Sequence, residues 1–102
     1  MEPITIRLAG VTFGNCQENI HLHGGPAITV YDVTREPDNV FDPNAISVDI
    51  GPFKFGYLPK HLAQRLAPSM DGGQKFRAEL VSINRSPFHD QVGMTVKIAK
   101  IN

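Results

Sequence analysis

The sequence of 102 residues contains one cysteine and no tryptophan, and its formal charges cancel. Because Cys16 has no second cysteine to pair with, an internal disulfide is excluded, and so is a zinc site built from several cysteines. No stretch approaches the roughly 18 apolar residues that span a membrane, and the N-terminus lacks the basic and apolar regions of a signal peptide. We therefore expect a cytoplasmic protein with no membrane partner.

The balance of charge limits how this chain can bind nucleic acid. Ten basic and ten acidic side chains give a formal net charge of zero. Since proteins that coat duplex DNA neutralise many phosphates, this composition argues against binding by charge alone. It leaves room for a small site that holds one or two nucleotides. The length predicts a single domain, residues 1–102, with a modest core.

Sequence motifs of common enzymes are also missing. The chain has no glycine-rich phosphate loop ending in Lys-Ser or Lys-Thr and no Gly-x-Ser-x-Gly nucleophile elbow. Cys16 lies near His21 and His23, but such proximity is far more often coincidence than a nucleophile with its base. On a strand the two histidines would share a face, which is a weak indication of a metal site. We expect surface histidines, no catalytic residue, no cofactor and no small-molecule ligand.

Alternating and β-branched segments predict a mostly β protein. The predicted strands cover residues 4–11, 27–33, 45–50, 53–58, 75–83 and 92–101. A polar loop containing Pro87 and Phe88 is expected between the last two strands. Six strands with one or two short helices in so few residues predict a small, partly open six-stranded β-barrel of the OB or SH3 kind.

Two helical segments are expected. Residues 15–23 fit one or two turns before a Gly-Gly pair. A longer helix is predicted to open at Pro59, because proline is favoured at the first helical position. Apolar residues at four-residue intervals from Leu62 form its core stripe. Pro68 and the glycines that follow Asp71 are expected to end it.

A loop dense in turn-forming residues lies between positions 35 and 46. Pro37 and Pro43 fix their own φ and keep the preceding residue out of the helical region. Four other residues can bond their own backbone in Asx turns: Asp38, Asn39, Asp42 and Asn44. We predict a rigid loop that holds Phe41 and Asp42 outward. An aromatic ring beside a carboxylate is typical of a recognition surface; the alternative is that Asp42 only caps its own turn.

The first turn of the predicted long helix, Pro59-Lys60-His61, contains no acidic residue. Acidic residues are normally favoured there by the positive end of the helix dipole. An anion bound by free backbone N–H groups and by Lys60 would explain their absence. A solvated lysine tolerated at a small energetic cost is an equal alternative.

Four aromatic residues lie at strand ends or in loops, next to Gly, Pro or Asp. Exposed rings on the rim of a barrel can stack on bases, at about 1–3 kcal/mol each. The alternative is that some of them plug the open ends of the barrel. The four residues are Phe13, Phe41, Tyr57 and Phe88.

Three segments carry a resemblance to a known family. Residues 9–13, 36–46 and 56–63 resemble the HIRAN domain, and the likeness extends from Ile6 to Ile101. HIRAN domains occur alone in bacteria and phages and fused to DNA-remodelling ATPases in eukaryotes. The resemblance implies a small β-barrel with helical insertions. It also implies non-enzymatic binding of single-stranded DNA, at its 3′-hydroxyl end, in DNA repair or processing, since the ATPase activity of multidomain members resides in a separate motor domain.

The resemblance implies roles for individual residues. Phe41 and Asp42 match an aromatic–Asp pair whose backbone and carboxylate contact the terminal 3′-hydroxyl, and Lys60 matches a phosphate-binding lysine. Phe88 stands where a DNA-binding relative has a base-stacking Phe, and Tyr57 where it has His. With Asn39 from the same loop, the predicted nucleic-acid site comprises Thr12, Phe13, Asn39, Phe41, Asp42, Tyr57, Lys60 and Phe88.

One departure from that relative bears on the strength of binding. At Thr12-Phe13 the relative has Arg-Tyr, so an arginine–phosphate pair and a phenolic hydrogen bond are missing here. The expected partners are a single-stranded DNA 3′ end and a DNA-processing enzyme. The alternative, favoured by zero net charge and by the missing arginine, is a protein-interaction module on the same barrel that has lost DNA binding.

Overall fold

The computed structural model describes residues 1–101, in which six antiparallel strands form one curved sheet with two helices. The strands are β1 (Ile4–Arg7), β2 (Val30–Arg35), β3 (Ile46–Ile50), β4 (Phe53–Tyr57), β5 (Lys75–Ser86) and β6 (His89–Ile101). The helices are α1 (Cys16–His23) and α2 (Lys60–Asp71). The predicted fold class, a mainly β protein with a small six-stranded barrel and one or two short helices, is confirmed: the six strands form a half-barrel with two helices.

The sheet has two edge strands, and they are joined at one end of the barrel. The order is β1-β6-β5-β2-β3-β4, so β1 and β4 are the two edges. Beyond the end of β1, Ala9 pairs with Tyr57 of β4 through two backbone hydrogen bonds of 2.8 Å each. This bridge joins the two edges of the sheet and closes one end of the barrel.

Side chains that alternate along the strands fill the interior. Ile46 and Val48 of β3 and Val96 and Ile98 of β6 have no exposed surface, and Ser47 of β3 is also buried. The apolar side chains of the core therefore recur every two residues, and β3 is covered on its other face at Ser47. Burial of each such apolar side chain favours folding by about 1.5–3 kcal/mol. The buried stripe of α2 completes the core with Leu62, Ala63, Leu66 and Ala67.

Helix α1 is held against the sheet by one glutamine. The Gln17 Nε2 group donates to the Val11 and Val92 carbonyls at 2.9 and 2.8 Å, and Gln17 Oε1 accepts from the Val92 N–H at 2.8 Å. Cys16 and Ile20 of the same helix are buried. The segment after β1 is thereby fixed against β6.

Several predicted boundaries are wrong. Strand β2 begins at Val30, three residues after the predicted start, because the preceding segment turns at Gly25, which has φ +152° and pairs with Ile28. The polar loop expected around Pro87 and Phe88 is a two-residue hairpin turn between β5 and β6, closed by the pairing of Ser86 with His89.

The bounds of α2 also differ from the prediction. Pro59 is the N-cap residue, and the helix starts at Lys60. Pro68 lies within the helix, which continues to Asp71. Proline removes one backbone donor and its ring crowds the carbonyl four residues earlier, but Pro68 is exposed and stands in the last turn, so only the final three residues of the helix follow it. The helix ends at the following glycines, of which Gly73 has φ +103° and donates to the Met70 carbonyl at 3.0 Å.

We predict that Gly56→Ala destabilises the closed end of the barrel. A Cβ at this position would lie 2.8 Å from the Ala9 carbonyl oxygen and 3.3 Å from Leu8 Cβ, so the backbone of the bridge has to move. Overpacking of this kind costs about 1–3 kcal/mol, measurable by urea denaturation. In the control Gly72→Ala the nearest contacts are ordinary ones of 3.5 Å. Equal unfolding midpoints for the two variants would contradict the prediction.

Candidate functional site

A groove of about 320 Å³ opens at the closed end of the barrel, along the Ala9–Tyr57 bridge. Its walls come from the turn after β1, the loop between β2 and β3, the end of β4 and the start of α2. Six of the eight residues predicted for the site line it together: Phe13, Asn39, Phe41, Asp42, Tyr57 and Lys60. Segments distant in the sequence therefore meet at one surface.

One wall of the groove consists of aromatic rings. Phe13 and Phe41 stack with their centroids 6.1 Å apart and their planes at 26°, and Tyr57 meets Phe13 edge-on at 6.5 Å. Phe13 is 58% exposed and Phe41 83% exposed. Since a plug for the barrel would be buried, the exposure of these two rings favours a role at the surface.

Gly10 permits this arrangement of rings. Its φ is +62°, and a Cβ there would lie 3.0 Å from Phe13 Cδ2 and 3.1 Å from Tyr57 Cδ2. The Phe13 N–H donates to the Gly10 carbonyl at 3.1 Å, which forms a tight turn. Only glycine combines this backbone conformation with so close an approach of two rings.

Side chains of the loop between β2 and β3 hold its backbone. Asn39 Oδ1 accepts from the N–H groups of Phe41 and Asp42 at 2.9 and 3.1 Å. Asp42 Oδ1 accepts from the Asn44 N–H at 2.9 Å. Asp42 does cap its own turn, as the alternative interpretation expected. A carboxylate has about four acceptor positions, so this cap leaves capacity for a ligand hydroxyl.

A network of side chains anchors the loop to β4. Glu36 Oε1 accepts from Asn39 Nδ2 at 3.0 Å and from the Tyr57 hydroxyl at 3.1 Å. Glu36 Oε2 forms an ion pair with Lys54, whose ammonium group also donates to the Tyr57 oxygen at 3.0 Å. These contacts tie the residues that position Phe41 and Asp42 to the strand that supplies Tyr57.

Both charged members of this network stay ionised at neutral pH. Burial alone would raise the pKa of Glu36, but hydrogen bonds from Lys54, Asn39 and Tyr57 outweigh it and hold that pKa below its ordinary value. Burial would lower the pKa of Lys54, yet its bonds to Glu36 and Tyr57 raise that pKa above its ordinary value. Sequence reasoning missed both residues. Lys54 within an apolar strand, between Phe53 and Phe55, was the available signal.

Lys60 adds the positive charge of the groove. It is the first residue of α2 and is exposed, and the first turn of the helix contains no acidic side chain. The Pro59 carbonyl accepts from the N–H groups of Leu62 and Ala63 at 3.0 and 2.9 Å. The positive end of the helix dipole and the lysine thus lie at the same side of the groove.

The other two predicted residues lie outside the groove lining. Thr12 is exposed in the turn that carries Phe13. Phe88 is 87% exposed at the tip of the β5–β6 hairpin, where its N–H donates to Ser86 Oγ at 3.1 Å. Neither residue is buried by the fold, so both remain accessible to a ligand that extends beyond the groove.

The histidines and the cysteine do not form a constellation. His21 and His23 lie on α1 and not on a strand, and positions two apart on a helix point in different directions. His23 stacks on Phe53 with ring centroids 3.8 Å apart. Cys16 is buried, which raises the pKa of its thiol. Within residues 1–101 no three His, Cys, Asp or Glu side chains are grouped as metal ligands.

Within residues 1–101, no helix has both the length and the apolar character needed to cross a membrane.

We predict that Asn39→Ala loosens the loop without unfolding the barrel. The substitution removes the acceptor for two backbone N–H groups and one donor to Glu36. We expect a loss of about 1 kcal/mol in the free energy of unfolding, and faster amide hydrogen exchange at Phe41 and Asp42. The control Asp38→Ala changes an exposed neighbour in the same loop. Unchanged exchange at both amides in Asn39→Ala would show that other contacts order the loop.

Comparison with known proteins identifies the family of this chain. The HIRAN domain model matches residues 10–100. A rice (Oryza sativa subsp. japonica) protein, Fanconi-associated nuclease 1 homolog, is 43% identical over 58 residues, which cover 53% of this chain and 6% of that protein. This chain thus corresponds to a small part of the rice protein's length.

Two solved structures share the fold. A crystal structure of a protein from Lactobacillus plantarum superposes with a TM-score of 0.68 at 23% identity, covering 92% of this chain and 90% of that chain. The crystal structure of the HIRAN domain of human HLTF gives a TM-score of 0.65 at 20% identity, covering 96% of this chain and 74% of that chain. With the family model matching over nearly all described residues, this chain belongs to the HIRAN domain family, whose members are known as DNA-binding modules.

Proposed function

We propose that the groove binds the 3′ end of single-stranded DNA and places its terminal hydroxyl at Asp42. The observation that carries the proposal is one groove that combines a carboxylate, an exposed pair of stacked rings and a lysine at a helix start. In this function the protein is a non-enzymatic module. It acts in the cytoplasm during DNA repair or processing, where it recruits a DNA-processing enzyme to a strand end.

A carboxylate in a DNA site has a specific use. Asp42 repels phosphate, so it is unfavourable beside an internal nucleotide. At the end of a strand it accepts a hydrogen bond from the 3′-hydroxyl, a group that internal nucleotides lack. The Asx turns of Asn39 and Asp42 hold this acceptor in place before the strand arrives, which reduces the entropy lost on binding.

The other parts of the groove suit the rest of the terminal nucleotide. Phe13 and Phe41 expose ring faces on which a base can stack, and such stacking tolerates any base. Lys60 and the N–H groups at the start of α2 supply positive charge for the last phosphate. The exposed residues Thr12 and Phe88 would meet the strand beyond the groove, with Phe88 offering another ring for a base.

A protein-interaction module is the second candidate. Val40 and Phe41 are 89% and 83% exposed at the tip of the loop, and an apolar tip of this kind suits a protein partner. Binding of a partner would not depend on a strand end. In fluorescence anisotropy titrations, no binding of any oligonucleotide, at low salt as well as at physiological salt, would favour this candidate.

We predict that the parent protein prefers a strand with a 3′-hydroxyl over one with a 3′-phosphate by about 2 kcal/mol, or roughly 30-fold in Kd. In Asp42→Asn the amide oxygen still caps Asn44 and still accepts from a hydroxyl, but it no longer repels phosphate. Most of the preference should therefore disappear through tighter binding of the 3′-phosphate strand. Anisotropy titrations with labelled oligonucleotides measure both affinities.

The matched control is Asp38→Asn, which removes the same charge from an exposed position in the same loop. It should retain the preference for the 3′-hydroxyl. If the parent binds 3′-hydroxyl, 3′-phosphate and circular single strands with equal affinity, the groove does not recognise an end.

We also predict that Lys60→Glu abolishes oligonucleotide binding. The reversed charge faces the phosphate, whereas a glutamate in the first turn suits the helix dipole, so Tm should stay level or rise slightly. The control Lys100→Glu reverses a charge at an exposed position near the end of β6 and should bind nearly as the parent does. Equal affinity of Lys60→Glu and the parent would remove the helix start from the site.

A further inference from the structure

A second depression, of about 610 Å³, adjoins the groove. Gly10 lines the groove and the next residue, Val11, lines the depression. The two linings are therefore contiguous along the chain at Gly10 and Val11. Most of the remaining lining of the depression comes from the turn end of the β5–β6 hairpin.

The depression is basic, although the protein as a whole is neutral. Its ionisable lining residues are Arg7, Arg85 and His89, all exposed, and no carboxylate lines it. Within residues 1–101 neither arginine lies within ion-pair distance of an acidic side chain. By contrast, Arg35 is paired with Asp71 and Arg77 with Glu79.

Asp90 is the acidic residue nearest to this lining in the sequence, between His89 and Gln91, but it is not among the lining residues. The basic side chains therefore meet no carboxylate in the lining of the depression.

Arg7 occupies the space that a side chain at position 93 would fill. An ideal Cβ on Gly93 would lie 2.9 Å from Arg7 Nη2 and 3.1 Å from Arg7 Nε. The guanidinium therefore lies beside the Gly93 backbone of β6. Gln17, which bonds to both Val11 and Val92, fixes the two backbone segments that border it.

We propose that this depression is a second subsite, in which Arg7 and Arg85 bind the phosphodiester backbone of the nucleotides that precede the strand end. The proposal rests on the function proposed for the groove and names the path of the strand outside it. Guanidinium groups suit this ligand because their paired N–H groups match two phosphate oxygens. The subsite sets the length of strand that the protein grips, and the groove reads its end.

The test uses single-stranded oligonucleotides with a 3′-hydroxyl, a dinucleotide and an octanucleotide, titrated at several salt concentrations. The dinucleotide fills the groove alone, whereas the octanucleotide also reaches the depression. Arg7→Gln and Arg85→Gln should each weaken octanucleotide binding about 5- to 10-fold and reduce the magnitude of the log–log salt slope by roughly 0.7. Dinucleotide binding should not change. The matched control Arg65→Gln removes an exposed arginine that lines a separate depression and should change neither measurement.

A variant that conserves charge strengthens the test. Gly93→Ala displaces the Arg7 guanidinium, the far end of a flexible side chain, so the fold is retained and Tm serves as the check. It should reproduce part of the octanucleotide loss seen in Arg7→Gln. The subsite is wrong if both arginine variants bind the octanucleotide with the affinity and salt slope of the parent. It is also wrong if their losses only equal that of Arg65→Gln. Competition by polyglutamate as strong as by the octanucleotide would overturn the choice of ligand.

Failure of the groove is distinguishable from failure of the subsite. If the octanucleotide binds without a preference for a 3′-hydroxyl and the arginine variants still weaken it, the end-binding function is wrong and the backbone path stands. If the preference is present and the arginine variants bind as the parent does, the end-binding function stands and the subsite is wrong. Absence of binding by every oligonucleotide would overturn both.

Discussion

The arrangement of side chains in the groove depends on the contacts of the Glu36 carboxylate. It accepts hydrogen bonds from Asn39 and Tyr57 and pairs with Lys54. Without it, Lys54 would keep a partly buried charge with no counter-ion, and Asn39 would lose the contact that orients its amide toward the loop backbone. The position of Asp42 follows from that orientation. One half-buried carboxylate thus joins the loop that carries Asp42 to the strand that carries Tyr57.

Much of the fold followed from local patterns. Alternation and β-branched composition identified all six strands, and the four-residue apolar interval identified α2, because the spacing of apolar residues reports which face of an element is buried. The errors have local energetic causes. Residues 27–29 have strand-like composition but belong to a turn that starts at Gly25. Pro68 suggested an earlier helix end, yet α2 tolerates this exposed proline in its last turn.

The residues of the site were easier to predict than the hydrogen bonds that join residues distant in the sequence. Turn chemistry predicted the Asx bonds of Asn39 and Asp42, which depend on neighbours within three residues. Glu36 and Tyr57 are 21 residues apart in the chain, and no local pattern reports such a pair. The resemblance to a known family supplied Lys60 as part of the same surface. Which residues of other elements meet this loop at the groove became visible only once β3 and β4 were placed.

The bridge between Ala9 and Tyr57 links recognition to the integrity of the barrel. The groove draws one wall from the segment that follows β1 and another from the end of β4, which are opposite edges of the sheet. Two backbone hydrogen bonds join those edges there, so separation of the edges would also split the groove. A ligand that touches both walls opposes that separation, and occupancy and closure are coupled equilibria. The protein is then most resistant to breathing motions at this seam when its groove is filled.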